Sequence, residues 1–247
     1  MERWQHKVAV VTGASAGIGA AICKVLVESG LKVVGLARRK ERIEKLAESL
    51  ENESGKLYAV KADITKEEDI CNAFTWISDN VGTIHVLINN AGIFRVSDLL
   101  DGQSEAWKST FDTNVIGLCI ATREAAKRMR ENNIDGHIIH INSVAGHKVP
   151  LGVKGNVYSA SKHAVTALTE ALRQELNLIQ SKIKITSISP GFVKTEFLED
   201  SGMPSTMFEG VPSLEAKDVA DSVRYVLSTP PHVQIHELII KPIGESY

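Results

Sequence analysis

Short apolar runs alternate with stretches of helical periodicity along the whole chain. The runs are Lys7–Thr12, Lys32–Ala37, Leu57–Ala62, His85–Asn89, His137–Ile141, Lys184–Ser189 and Ile235–Lys241. Most are rich in valine and isoleucine without strict alternation, as expected of strands covered on both faces. The intervening segments read as helices. Ile18–Glu28 ends at Gly30, a residue suited to a helix C-terminus. Ile43, Leu46, Ala47 and Leu50 form a helical stripe. Thr65 and Glu68 have the spacing of a capping box ahead of Ile70, Ala73 and Phe74. Longer helices are expected over 105–130 and 156–180, and a last one, capped by Ser213, running through Leu227. This alternation predicts an α/β fold: a Rossmann-type, doubly wound parallel sheet of seven strands with helices on both faces. One domain is expected over 1–247. The irregular stretch 192–212 is too long for an ordinary connection and reads as a substrate loop.

Composition narrows the picture by exclusion. An apolar fraction of 43% over 247 residues suffices for a core without disulfide or metal staples. A net charge of −2 without a basic block gives no footprint for nucleic acid. Cys23, Cys71 and Cys119 are odd in number and set in apolar-periodic segments, which suits buried thiols in a reducing compartment. No apolar run approaches the ~20 residues of a membrane helix, and the N-terminus does not resemble a signal peptide. A cytoplasmic location is the default expectation. His137 and His140 fall on opposite faces of a strand, so no metal site is expected from them.

The first strand runs into Thr12-Gly13-Ala14-Ser15-Ala16-Gly17-Ile18-Gly19 and then a helix. Glycines let the backbone turn tightly and approach a pyrophosphate, and the helix start offers it free N–H groups and a partial positive charge. The second strand ends in Ala37-Arg38-Arg39, where an NAD-binding chain would place an acid for the ribose 2′-hydroxyl. Arg38 and Arg39 suit a 2′-phosphate instead. Each charge-assisted hydrogen bond is worth roughly 1.5–3 kcal/mol, which is about tenfold or more in favour of NADP(H).

Further along, Ser143 follows a strand, and Tyr158 and Lys162 sit at i and i+4 of a predicted helix, their Cβ atoms roughly 5–6 Å apart. A phenol has a reference pKa near ~10, and a neighbouring ammonium favours its ionised form. Such a tyrosine can exchange a proton with an alcohol or carbonyl oxygen, to which Ser143 offers a hydroxyl.

The ordered set Thr12-Gly13-x3-Gly17-x-Gly19, Asp63, Asn89-Asn90-Ala91-Gly92, Asn114, Ser143, Tyr158-x3-Lys162 and Pro190-Gly191 resembles the short-chain dehydrogenase/reductase family over nearly the whole chain. The resemblance implies Tyr158 as proton donor and acceptor, with Ser143 orienting the reacting oxygen. Lys162 would bind the nicotinamide ribose, and Asn114 would hold a water in a relay through it. Asp63 would contact adenine; Asn89, Ala91 and Gly92 would shape the pocket. Ser15, Ile18, Pro190, Gly191, Val193 and Thr195 would complete the cofactor site. Every catalytic position is filled, which argues against a non-catalytic NADP(H)-binding role. The N-terminus Met1-Glu2-Arg3-Trp4, Ser143-x2-Gly146-His147 and Tyr225-Val226-Leu227-Ser228-Thr229-Pro230 resemble a branch holding insect farnesol dehydrogenase-like enzymes and vertebrate dehydrogenase/reductases. That branch prefers NADP and acts on isoprenoid alcohols, steroids and other lipophilic carbonyls. The family resemblance also implies a homodimer or homotetramer formed through the two long helices.

Candidate substrate residues are Ser143, Phe94, Val149, Val153, Phe192, Phe197 and Met203. Val96, Pro150, Leu151, Leu198, Met207 and Phe208 lie in the same loops. This apolar, methionine-bearing inventory predicts a lipophilic alcohol or carbonyl. Farnesol or a similar isoprenoid alcohol leads; steroid or xenobiotic ketones are the alternative.

Overall fold

The structure, a computed structural model, describes residues 1–150, 155–197, 201 and 210–245. Its strands are β1 (Val8–Thr12), β2 (Lys32–Ala37), β3 (Lys56–Lys61), β4 (Ile84–Asn89), β5 (His137–Ile141), β6 (Lys184–Pro190) and β7 (Glu237–Ile240). They form one 7-stranded sheet in the order β3-β2-β1-β4-β5-β6-β7, and every pairing is parallel. The order reverses between β1 and β4, and the crevice beyond the carboxyl ends of those two strands is where such sheets take ligands.

The helices are α1 (Gly17–Glu28), α2 (Lys40–Ser49), α3 (Glu67–Asn80), α4 (Ser104–Phe111), α5 (Gly117–Glu131), α6 (Asn156–Leu178) and α7 (Ala216–Ser228). Successive residues of a strand point to opposite faces, so the non-alternating runs feed two cores. Ala9, Val11, Val33 and Ile139 pack with Ile22 and Leu26 of α1 and Val219 and Val223 of α7. Val8, Val10, Leu87 and Ile138 pack with Phe74 and Ile77 of α3 and Ala121 and Met129 of α5. Each fully buried Val, Leu, Ile, Phe or Met side chain among them contributes roughly 1.5–3 kcal/mol of hydrophobic stabilisation.

Three local expectations are corrected. The helix read over 105–130 is interrupted by a wide π turn at Asp112–Ile116. Gly117 there abuts the loop after β3, where a Cβ would stand 2.4 Å from Ile64 O. Thr65 does not cap α3; its N–H and hydroxyl donate to Asp63 Oδ1, and Asp69 accepts from Asp63 N. Ser213 does not cap α7, because Leu214 N is committed to Phe192 O. The helix therefore starts later, at Ala216, behind Glu215, which forms a capping box with Asp218.

Candidate active site

The crevice is a cleft of about 550 Å³. Its floor is set by the turn after β1. Gly13 and Gly17 have φ of +68° and +53°, conformations that L side chains rarely adopt. Gly19 is required by contact: a Cβ would lie 2.3 Å from Gly13 O and 2.5 Å from Asn90 Nδ2. Thr12 and Asn90 tie the ends of β1 and β4 together. Thr12 Oγ1 accepts from the N–H groups of Asn90 and Ala91, and Asn90 Nδ2 donates to Thr12 O and Gly13 O. Among the described residues no side chain caps α1, and its first turn lines the cleft. Its N–H groups and helix dipole therefore favour an anion there.

Ala37, Arg38, Arg39 and Asp63 form one end of the cleft. Both arginines are exposed, and neither makes a side-chain hydrogen bond or ion pair with another described residue. Partial burial opposes ionisation of Asp63. Hydrogen bonds from Thr65 and the charges of Arg38 and Lys66 outweigh it and hold the carboxyl below its ordinary value.

The other end carries the proton-bearing groups. Ser143 starts a short 3-10 turn, Val144–Gly146, and its Oγ accepts from Ala145 N at 3.1 Å. Tyr158 and Lys162 project from α6, with Lys162 Nζ 5.8 Å from the centroid of the phenol ring. Lys162 is 7% exposed and donates to Ile141 O at 2.8 Å. Burial pushes its pKa down to about 8. Phe94 and Phe197 stack tilted on Tyr158, with ring centroids 5.1 and 6.1 Å away.

Gly13, Ser15, Gly17, Ile18, Gly19, Arg38, Arg39, Asp63, Ala91, Gly92, Pro190, Gly191, Val193 and Thr195 all line the cleft. So do Ser143, Tyr158, Lys162, Phe94, Phe192 and Phe197. Asn89 and Asn114 do not. Asn89 is buried, and its carboxamide donates to Thr122 Oγ1. The π turn aims Asn114 inward: Oδ1 accepts from Ile93 N, while Nδ2 donates to Ile93 O and to Ser161 Oγ. Ser161 Oγ donates to Tyr158 O, so Asn114 braces the turn of α6 that bears Tyr158. Val149 is 57% exposed and off the cleft wall, which Pro150 joins instead. Val153 and Met203, with Leu151, Leu198, Met207 and Phe208, lie outside the described residues. Sequence reasoning missed Arg95, a cation in the wall of a pocket expected to be apolar; its adjacency to Phe94 was the available signal.

A glycine turn at an uncapped helix start, two guanidinium groups, and a phenol beside a buried ammonium thus share one cleft. A model of the short chain dehydrogenase family matches residues 7–204. The chain belongs to the short-chain dehydrogenase/reductase family. It is 52% identical over 250 residues to a farnesol dehydrogenase of Aedes aegypti, covering 100% of both chains. It is 47% identical over 251 residues to dehydrogenase/reductase SDR family member 11 of Homo sapiens, covering 98% of this chain and 96% of that one. A solved serine dehydrogenase in closed form, complexed with NADP+, superposes with a TM-score of 0.89 at 32% identity, covering 97% of this chain and 96% of that one. The chain is accordingly an oxidoreductase of this family. Among the described residues, no helix is long and apolar enough to cross a membrane.

Proposed function

We propose that this chain, acting as one catalytic domain over 1–247, is an NADP(H)-dependent oxidoreductase. It interconverts a lipophilic alcohol and its carbonyl, with farnesol or a similar isoprenoid alcohol as the leading substrate. The observation that carries this reading is Tyr158 standing beside the buried Lys162 ammonium on the wall of the cleft that the glycine turn opens.

The residues fit a nicotinamide dinucleotide. The uncapped start of α1 and the close backbone approach at Gly13 and Gly19 suit a pyrophosphate, and Arg38 and Arg39 have donors available for a 2′-phosphate. Asp63 would meet the adenine end; Pro190, Gly191, Val193 and Thr195 would flank the nicotinamide. The bound nicotinamide supplies the site at which hydride is accepted or donated. The chain handles the proton: Tyr158 Oη takes it from the alcohol oxygen as the carbonyl forms, and returns it in reduction. Ser143 Oγ donates to the same oxygen. Lys162 stabilises the ionised phenol and offers N–H groups to a ribose.

The aromatic wall of Phe94, Phe197 and Phe192 supports a lipophilic substrate, as does similarity to a protein named farnesol dehydrogenase. Arg95 favours a second reading, a carbonyl reductase of steroid or xenobiotic ketones, because a guanidinium in the wall suits a ligand with another polar group. Self-association as a homodimer or homotetramer would use the groove between α5 and α6, where Leu178 is 83% and Ile179 51% exposed.

The test is initial-rate absorbance with NADP+, NAD+, NADPH and NADH against farnesol, a shorter terpene alcohol, a steroid ketone and a simple diketone. Turnover with the phosphorylated cofactor on farnesol is expected. Preference for NAD(H), or for charged sugars and organic acids over every apolar member, would reject the reading.

A further inference from the structure

The backbone of Gly191–Phe192, at the end of β6, forms part of the cleft wall and is pinned at three points among the described residues. Gly191 N donates to Ile240 O at 2.8 Å, and Phe192 O accepts from Leu214 N at 2.8 Å. The third point is the one made by a side chain: Phe192 N donates to Glu245 Oε2 at 3.1 Å. The turn Pro242–Glu245 delivers that carboxylate. Gly244 has φ of +89° and Glu245 N donates to Pro242 O, folding Glu245 back under the strand end.

The fit is close. The side chain of Glu245 is 1% exposed, and Lys241 Nζ stands 3.3 Å from its Oε1. A Cβ on Gly191 would lie 2.0 Å from Oε2, so a side chain at 191 would push the carboxylate away from Phe192 N. A carboxylate taken out of water is costly unless hydrogen bonds and an opposite charge compensate it. Among the described residues, Phe192 N is its hydrogen-bond donor, through Oε2, while Lys241, four residues away, faces Oε1 as an ion pair without a hydrogen bond. Glu245 itself does not line the cleft. It therefore acts through the peptide it holds.

We infer that Glu245 is a positioning residue: it fixes the Gly191–Phe192 peptide against which the nicotinamide end of the cofactor and the substrate are seated. This rests on the proposed function, and the test separates the two. The Kd for NADPH is measured by fluorescence, with KM and kcat for the alcohol, in wild type, Glu245→Ala, Glu245→Gln, Gly191→Ala and the Gly191→Ala/Glu245→Ala double variant. Glu245→Ala should raise Kd and KM by about fivefold or more, as for a lost charge-assisted hydrogen bond, with a smaller change in kcat. Glu245→Gln keeps an oxygen for Phe192 N–H and should stay within about twofold of wild type. Gly191→Ala should cost much more in the wild-type background than on Glu245→Ala, since removing the carboxylate removes the clash. Should Glu245→Ala fail to fold, Glu245→Asp, whose shorter side chain draws the carboxylate back from Phe192 N, takes its place: raised Kd and KM are expected, and wild-type values would overturn the inference. Wild-type Kd and KM in Glu245→Ala, or an equal cost of Gly191→Ala in both backgrounds, would overturn the inference alone. A wild-type protein that binds no NADPH would overturn the proposed function and this inference with it.

Discussion

The two ends of the cleft are built by different means. Around α1 and the end of β2, the wall is a continuous piece of backbone whose shape is dictated by Gly13, Gly17 and Gly19, and whose charge comes from Arg38 and Arg39 at the next strand end. Around Tyr158, the wall is assembled from side chains far apart in sequence: Phe94 after β4, Ser143 after β5, Tyr158 and Lys162 on α6, and Phe197 beyond β6. Under the proposed function, the first end holds the dinucleotide, which is the same whatever the substrate. The second is a meeting point of connections, which are tolerant of change, so substrate choice can vary while the cradle stays fixed.

Perturbing each end separately should expose that division. The largest effect belongs to the assembled end. Tyr158→Phe should lose roughly 10²–10⁴ in kcat, as for removal of a general acid/base, with NADPH affinity little changed; rapid-mixing turnover and fluorescence titration measure the two parts.

Lys162 comes next, because burial works against its charge. Its folded-state pKa of about 8 lies below the ordinary 10.5, a difference worth on the order of 3 kcal/mol of destabilisation while the ammonium is charged in both states. That penalty is present in full below pH 8 and is relieved as pH rises from 8 to 10.5. Lys162→Met should lower turnover, by less than Tyr158→Phe does, yet unfold in urea at a higher midpoint at pH 7. It should also lack the gain in stability that wild type shows across that pH window. A lower midpoint would mean that the bond to Ile141 O outweighs the desolvation.

At the cradle, Gly19→Val would drive a side chain into Gly13 O. It should cost about 1–3 kcal/mol in stability, by urea titration, and eliminate NADPH binding. The smallest effect is expected from Arg38→Ala with Arg39→Ala. NADPH affinity should fall about tenfold or more while NADH affinity stays unchanged, which fluorescence titration of both dinucleotides would measure. Equal losses for both would assign the arginines to something other than the 2′-phosphate.

The same division explains what could be read from the chain. The glycine turn, the arginine pair and the Tyr158–Lys162 spacing are local, each within one strand-to-helix turn or one helical turn, so sequence spacing alone brings them together. The succession of strands and helices followed from apolar runs alternating with helical stripes. What spacing leaves unread involves distant partners. Asn114 turns away from the cleft because a π turn hands its carboxamide to Ile93 and Ser161, and nothing in the helical periodicity of 105–130 marks that interruption. Asn89 answers to Thr122 on α5. The start of α7 moved because Leu214 pairs with Phe192, and the Glu245 carboxylate meets Phe192 N because the turn Pro242–Glu245 folds back toward the end of β6. Such contacts join residues separated by 20 to 50 or more positions, where no local pattern registers them.

The most direct test of the central claim follows the hydride itself. Wild type and Tyr158→Phe would be incubated with NADP+ and farnesol deuterated at C1, and the label followed by NMR. The account predicts deuterium at C4 of the nicotinamide, on one face, with wild type, and transfer slowed by roughly 10²–10⁴ in Tyr158→Phe. No transfer from wild type while both ligands bind, or an undiminished rate in Tyr158→Phe, would contradict it.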